Sequence, residues 1–313
     1  MTGPGGGSLD PQGPAARTIA GLWWLMLGLG LAVFVVFAVF LALGLFRRRT
    51  PAGPRPADEP TRAFNAWIVG AGVVAPVIII GVVFGATVGA MRRLTVTAPN
   101  DALEVEVIGH QWWWEVRYPD AGFTMANEMH IPTGRPVAAR LTSADVIHSF
   151  WVPALGGKLD LLPDRVNTLV LQADKPGEHR NRCAEYCGLQ HTLMGMIVVA
   201  EPPERFDAWI AQQRRPAATP TAARDVHGRD LFVGSCGRCH TVRGTPAAGT
   251  KGPDLTHVAG RSTLGAAAVA NTPKRLAEWV ADPHAIKRGV AMPAAQLTPE
   301  ELGALLSYLA TLR

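Results

Sequence analysis

At 313 residues the chain has room for two or three domains. Its formal net charge of +5 is modest and partly spent in one arginine-rich loop, and no nucleic-acid-binding motif accompanies it, so nucleic acid is excluded as a partner class. The four cysteines fall in two metal-binding patterns, Cys183 with Cys187 and Cys236 with Cys239, which leaves none for a structural disulfide.

The first eighteen residues are rich in glycine and proline and are predicted to form a disordered tail, 1–18. No charged residue interrupts 19–46 or 63–90, and each stretch exceeds the ~20 residues a helix needs to cross a bilayer. Two transmembrane helices, 19–46 and 63–91, are therefore expected. A cleavable signal peptide is the competing reading of the first. Against it, Arg17 is the one basic residue ahead of the stretch, no A-x-A-like site closes it, and it is too long. The loop 47–62 carries Arg47, Arg48, Arg49, Arg55 and Arg62, which places it in the cytoplasm and both chain ends outside. Arg92 and Arg93 pull mildly the other way, as translocated domains tolerate. Inside the second helix Pro76 frees one carbonyl, which neighbouring helices usually re-satisfy. Gly81, Gly85 and Gly89 either offer a close-packing face or reflect the ordinary abundance of glycine in membrane helices.

Over 94–202 the pattern changes. Leu103, Val105 and Val107 alternate with Glu104 and Glu106, and further short apolar runs are bounded by Pro, Gly and Asn, which predicts a compact all-β domain, sandwich or barrel. A short amphipathic helix over 203–213 runs into a Pro/Ala/Thr linker ending at 223. Extended at ~3.1 Å per residue, that linker would reach about 30 Å. The last domain, 224–313, reads as all-α. Thr298, Pro299 and Glu301 are the N-cap, first-turn proline and capping-box glutamate of a final helix whose Leu302, Leu305, Leu306 and Leu309 share one face.

Cys183, Cys187, His191 and Met194 lie within twelve residues. Soft thiolates select copper, zinc or iron–sulfur clusters, and the added imidazole and thioether tilt the choice toward copper. A mononuclear blue-copper site needs one Cys, two His and a weak Met, with one His from an earlier strand, for which His148 is the candidate. The second thiolate overcharges a single ion, whereas two copper ions bridged by both sulfurs balance it. A zinc knot or a buried thiol pair is the alternative. His110, His130 and His179 are read as surface or core polar residues. The run Trp112-Trp113-Trp114 is either a membrane-interface belt or part of a strand, where Trp112 and Trp114 would share a face.

This ligand set resembles the dinuclear CuA centre of the cytochrome c oxidase subunit II family. Gly109-His110-Gln111-Trp112-Trp113-Trp114 is similar to that family's aromatic segment, and Val152-Pro153-Ala154-Leu155-Gly156 with Lys158 and Asp160 to its post-histidine loop. With the helical hairpin, the resemblance covers roughly 20–200 and implies a cupredoxin-like Greek-key sandwich or barrel. It implies as copper ligands His148, Cys183, Cys187, His191, Met194 and the backbone carbonyl of Glu185, the Glu185 side chain also being a magnesium ligand at the interface with subunit I. It makes Trp112 the residue where electrons arrive above the copper. Oxidase-type members often carry a glutamate early in the second helix, at the mouth of a proton channel. Here Asp58 and Glu59 precede that helix and no acid lies within it, which puts proton uptake by that route in doubt.

Cys236-Gly237-Arg238-Cys239-His240 has the C-x-x-C-H form of covalent haem c attachment, with thioether bonds at Cys236 and Cys239 and an axial nitrogen from His240. Met292 is the one methionine after Met196, so a thioether sixth ligand has to be Met292. His257 or His284 would be a nitrogen alternative of lower potential. The domain resembles class I cytochrome c, in which the carbonyl of the proline matching Pro253 orients the axial histidine. Together the resemblances imply subunit II of a caa-type cytochrome c oxidase in a bacterial cell membrane, with both redox domains on the outer side. Electrons would pass from an external donor such as a cytochrome c to haem c, to CuA and to haem a of subunit I, with subunit III in the complex. Reduction of oxygen and proton translocation would belong to the partner, leaving no catalytic residue on this chain. The alternatives are the corresponding subunit of a CuA-type nitric oxide reductase, a membrane-tethered electron carrier, and a copper-delivery protein, the last opposed by the haem motif.

Overall fold

The computed structural model describes residues 7–47, 62–94 and 97–313. The chain divides into two units, Arg17–Leu94 and the residues on either side of it.

In the first unit, helix α1 (Pro14–Phe46) begins at Pro14 rather than at 19, because proline at a first turn loses no helical hydrogen bond. The second span is α2 (Arg62–Val69), a π-helical turn at Gly70–Val74, and α3 (Ala75–Arg93). The wide turn falls where Pro76 removes the donor that the carbonyl of Gly72 would otherwise meet. Both spans are apolar all round, with large side chains such as Phe34, Phe37 and Phe84 exposed. Mean hydropathies of 2.9 and 2.6 make them long and apolar enough to cross a membrane. A Cβ added at Gly81, Gly85 or Gly89 would meet nothing within 4 Å, so these glycines do not mediate close helix packing among the described residues. Of the loop expected to be cytoplasmic, 48–61 lie outside the described residues.

The larger unit opens with ten strands, β1 (Leu103–His110), β2 (Trp113–Tyr118), β3 (Phe123–Ala126), β4 (Glu128–Pro132), β5 (Val137–Ser143), β6 (His148–Trp151), β7 (Lys158–Leu161), β8 (Asn167–Leu171), β9 (Gly177–Cys183) and β10 (Gly195–Glu201). They pair as two five-stranded sheets, β3-β2-β1-β5-β8 and β4-β10-β9-β6-β7, that face each other as a cupredoxin-like sandwich. The alternation in β1 has the expected effect: Leu103, Val105 and Val107 are buried while Glu104 and Glu106 are not. Helix α4 (Pro203–Gln213) then lays Phe206 and Trp209 against the same core.

Neither the tail expected to be disordered nor the linker is loose along its described length. In the tail, the Gln12 amide donates to the Ala154 carbonyl (2.7 Å) and the Gln12 carbonyl accepts from the Asp174 amide (2.9 Å), so residues 7–13 are pinned to the sandwich. Those bonds use backbone groups alone, and composition carries no sign of them. The linker is likewise held rather than extended through solvent. Ala217 N–H donates to the Arg243 carbonyl (2.9 Å), the Arg215 carbonyl meets His257 Nε2 (3.1 Å), and Arg214 donates to the Ala121 and Asp120 carbonyls.

The C-terminal domain comprises α5 (Ala223–Leu231), a π-helical turn at Phe232–Cys236, a two-strand ribbon of β11 (Thr263–Leu264) and β12 (Val269–Ala270), α6 (Pro273–Ala281), α7 (Pro283–Ile286) and α8 (Pro299–Thr311). The capping box at Thr298 and Glu301 forms in both directions. Leu305 and Leu309 join Phe232, Val242 and Tyr308 in the core. Gly228 lets α5 and α8 meet closely, since a Cβ there would stand 2.1 Å from the Ala304 carbonyl oxygen.

A candidate copper centre and haem site

The soft ligands converge from one strand pair and one loop. Antiparallel pairing of β6 with β9 sets Phe150 opposite Cys183. His148, two residues from Phe150 and on the same face, therefore points toward Cys183. Cys187, His191 and Met194 return on the loop between β9 and β10, whose short helical turn spans His191–Leu193. The sulfur atoms of Cys183 and Cys187 lie 3.7 Å apart, and Cys183 Sγ is 3.9 Å from His148 Nδ1 and 3.3 Å from the Glu185 carbonyl oxygen. Cys187 Sγ is 3.6 Å from His191 Nδ1 and 3.8 Å from Met194 Sδ. The structure thus brings together all six groups named from the sequence, and His148, Cys183 and Cys187 are buried.

Two thiols this close do not ionise together. A hydrogen bond from Cys187 holds the Cys183 thiol well below its ordinary range, with burial opposing and His148 assisting, while the Cys183 thiolate and burial push the Cys187 thiol far up. Releasing the second proton requires cationic charge between the sulfurs. With two nitrogens, a thioether and a carbonyl around them, the donor set fits copper, and the paired thiolates suit two ions better than one.

Residues not anticipated from the sequence orient this set. Asp145 Oδ1 lies 2.8 Å from His148 Nε2, which turns Nδ1 toward the sulfurs. Burial works against the charged form of His148, but bonds to Cys183 and Asp145 outweigh it and raise its pKa. Gly109 makes room: a Cβ there would come within 2.7 Å of the His148 ring. Gln111 Nε2 and Trp112 Nε1 both donate to the Cys187 carbonyl, at 2.8 and 2.9 Å. Trp112 precedes β2 instead of belonging to it, so the strand-alternation argument does not apply to it. Trp114 is fully buried, edge-on to His148 at 6.0 Å, and Trp113 stacks on His110 at 4.2 Å. Glu185, whose side chain was the expected magnesium ligand, is exposed.

At the second site His240 Nδ1 donates to the Pro253 carbonyl at 2.8 Å, leaving Nε2 for iron. Burial, opposed by that carbonyl, lowers the His240 pKa and favours the neutral imidazole a metal requires. Cys236 and Cys239 are free and half-buried, so the segment fits a covalently attached haem. Met292 is half-buried in the loop between α7 and α8. Both ring nitrogens of His257 are engaged, with the Arg313 carbonyl (2.7 Å) and the Arg215 carbonyl (3.1 Å), which disfavours it as an iron ligand.

The two domains meet across a polar seam. Gln190 Nε2 donates to the Arg288 carbonyl at 2.6 Å, the Gly195 amide to the Ala266 carbonyl at 2.9 Å, and Ser262 N–H and Oγ to Glu128 Oε2 at 3.1 and 3.0 Å.

Comparison with known proteins assigns a family to each of the two domains. Residues 122–201 match the family model for the periplasmic domain of cytochrome c oxidase subunit II, and residues 226–313 match that for cytochrome c. Cytochrome c oxidase subunit 2 of Alkalihalophilus pseudofirmus is 34% identical over 312 residues, covering 98% of this chain and 90% of that protein. The protein of the same name from Bacillus sp. strain PS3 is 33% identical, covering 77% and 72%. Quinol oxidase subunit 2 of Bacillus cereus strain ATCC 10987 is 30% identical, covering 74% and 80%.

Proposed function

The chain belongs to the cytochrome c oxidase subunit 2 family, and we propose that it is the electron-receiving subunit of a caa-type oxidase, with its redox domains on the periplasmic side. Family membership makes it the subunit II partner of a subunit I in a haem–copper oxidase, with a copper-type domain, a cytochrome c domain and a general electron-transfer role. The convergence of two cysteines, two histidines, Met194 and the Glu185 carbonyl on the chain that also carries C-x-x-C-H supports the finer reading.

When bound, haem c and a dinuclear copper centre supply one-electron chemistry, so that electrons from an external donor such as a cytochrome c travel through this chain to haem a and oxygen. Cys236 and Cys239 would anchor the haem, and His240, held by the Pro253 carbonyl, and Met292 would be its ligands. Cys183 and Cys187, with His148, His191, Met194 and the Glu185 carbonyl, would hold the copper. Asp145 fixes the face that His148 presents, and Trp112 rests on the Cys187 carbonyl where an electron would cross. The exposed Glu185 side chain, which accepts a bond from the Tyr186 amide at 3.2 Å, would bind magnesium against subunit I. The arginines of 47–62 keep the hairpin loop cytoplasmic.

The test is purification of the complex in mild detergent, with assay of haem a, copper per chain and oxygen consumption driven by reduced cytochrome c or by quinol. Haem a, two coppers and cytochrome-driven oxygen uptake are expected. A partner without haem a, or turnover with nitric oxide but not oxygen, overturns the oxidase assignment; turnover with quinol alone overturns the donor.

A further inference from the structure

Lys287 is the least expected buried side chain in the molecule. It lies between α7 and α8, five residues before Met292, and is 1% exposed. Its ammonium donates to the Trp112 carbonyl at 2.6 Å and to the Gly265 carbonyl at 2.9 Å, with no carboxylate partner among the described residues. A lysine is rarely buried without a counter-ion, because desolvating the ammonium is costly. The carbonyls it joins come from different domains: Trp112 lies beside the copper ligands, and Gly265 lies in the turn between β11 and β12. Trp112 in turn donates through Nε1 to the Cys187 carbonyl. Next to Lys287, the Arg288 carbonyl accepts from Gln190, the neighbour of His191.

We infer that Lys287 is a positioning residue that locks the haem-ligand loop onto Trp112 in the orientation used for electron transfer to the copper pair. This rests on the electron path proposed above and goes beyond it, because tethering alone supplies only a high local concentration. A bonded seam fixes one docked pose. The step concerned moves one electron from ferrous haem to the oxidised copper pair, with no bond broken and no proton displaced. Lys287 takes no part in the redox change; it holds the donor loop and Trp112 in register. Arg288 and Gly289 extend the contact, since Gly289 approaches Leu189 so closely that a Cβ would sit 3.1 Å from its Cδ2.

The test uses the detergent-purified complex with both cofactors. Lys287→Met keeps length and apolar volume but removes all donors. An electron is injected photochemically into haem c, and its departure is timed against copper reduction, with amide hydrogen exchange followed at 111–113 and 264–266. Leaving two buried acceptors unpaired should reduce the docked population, and so slow the transfer, about tenfold or more. Haem and copper absorption should stay unchanged and exchange at both segments should rise. Lys287→Arg, which restores donors, should recover part of the rate. A Lys287→Met complex that transfers at the unaltered rate with unaltered exchange overturns the inference. If the unaltered complex shows no haem-to-copper transfer, the proposed path itself fails instead. Should Lys287→Met not assemble, Lys287→Gln, with one donor group left, carries the same comparison.

Discussion

Replacing His130 with glutamine should destabilise the copper domain in a pH-dependent way. His130 lies on β4 with Nε2 3.1 Å from Glu128 Oε1 and Nδ1 3.0 Å from Glu201 Oε2, and its ring stacks on Trp209 at 4.0 Å. Burial opposes the imidazolium, but the two carboxylates outweigh burial and raise its pKa. Glu128 is lowered in spite of its own burial, by His130 and then Ser262, and Glu201 is lowered by His130. Removing one member of a buried ion pair costs about 3–5 kcal/mol, and the more exposed Glu201 arm adds at most about 1 kcal/mol. For a domain of this size that corresponds to a fall of roughly 12 °C or more in apparent melting temperature. Because the histidine pKa is raised on folding, its contribution is complete below the ordinary value of about 6.5 and is lost as pH rises through the raised value. The carboxylates contribute in the opposite sense, losing theirs as pH falls through their lowered values. The assay is loss of copper absorption on heating the purified complex at a series of pH values. The unaltered protein should lose stability on the alkaline side, and His130→Gln should be lower and flatter there. An identical alkaline decline in both, or a fall under about 3 °C, would refute the reasoning.

Other substitutions separate the sites. Asp145→Asn should leave the fold intact but weaken copper binding about 10–100-fold, measured by competition with a chelator; unchanged affinity would deny Asp145 its orienting role. Gly228→Val places a side chain where a Cβ already falls 2.1 Å from the Ala304 oxygen and 2.9 Å from Tyr308 Cβ. That overpacking should cost about 1–3 kcal/mol, lowering the melting of the haem domain while copper absorption is unaffected. Met292→His should retain covalent haem and lower its reduction potential in a redox titration, whereas an unmoved potential would point to another sixth ligand.

Features written in local pattern were legible in the sequence. The cap at Thr298, the alternation through Leu103, Val105 and Val107, and the copper loop from Cys183 to Met194 each lie within a short stretch, so spacing alone carries them. His148 required one inference across strands, and the register of Phe150 with Cys183 supplies it. The features that escaped depend on backbone acceptors or on distant partners. Nothing in the identity of Trp112 or Gly265 reveals that their carbonyls hold Lys287, 175 and 22 residues away. Gln12 is anchored by main-chain groups, and Glu128, His130 and Glu201 form a cluster only after β4 pairs with β10. The linker looked mobile because its composition suits an extended chain, while the bonds that hold it belong to Arg243 and His257 of the haem domain.

In the proposed path electrons pass through haem c before copper, and rapid mixing of the oxidised complex with a reduced cytochrome donor, following haem c and copper absorption together, reads that order directly. Haem c should be reduced first, copper should follow at the expense of haem c, and a His240→Ala variant with intact copper should lose rapid copper reduction. Copper that is reduced equally fast in that variant would contradict that order.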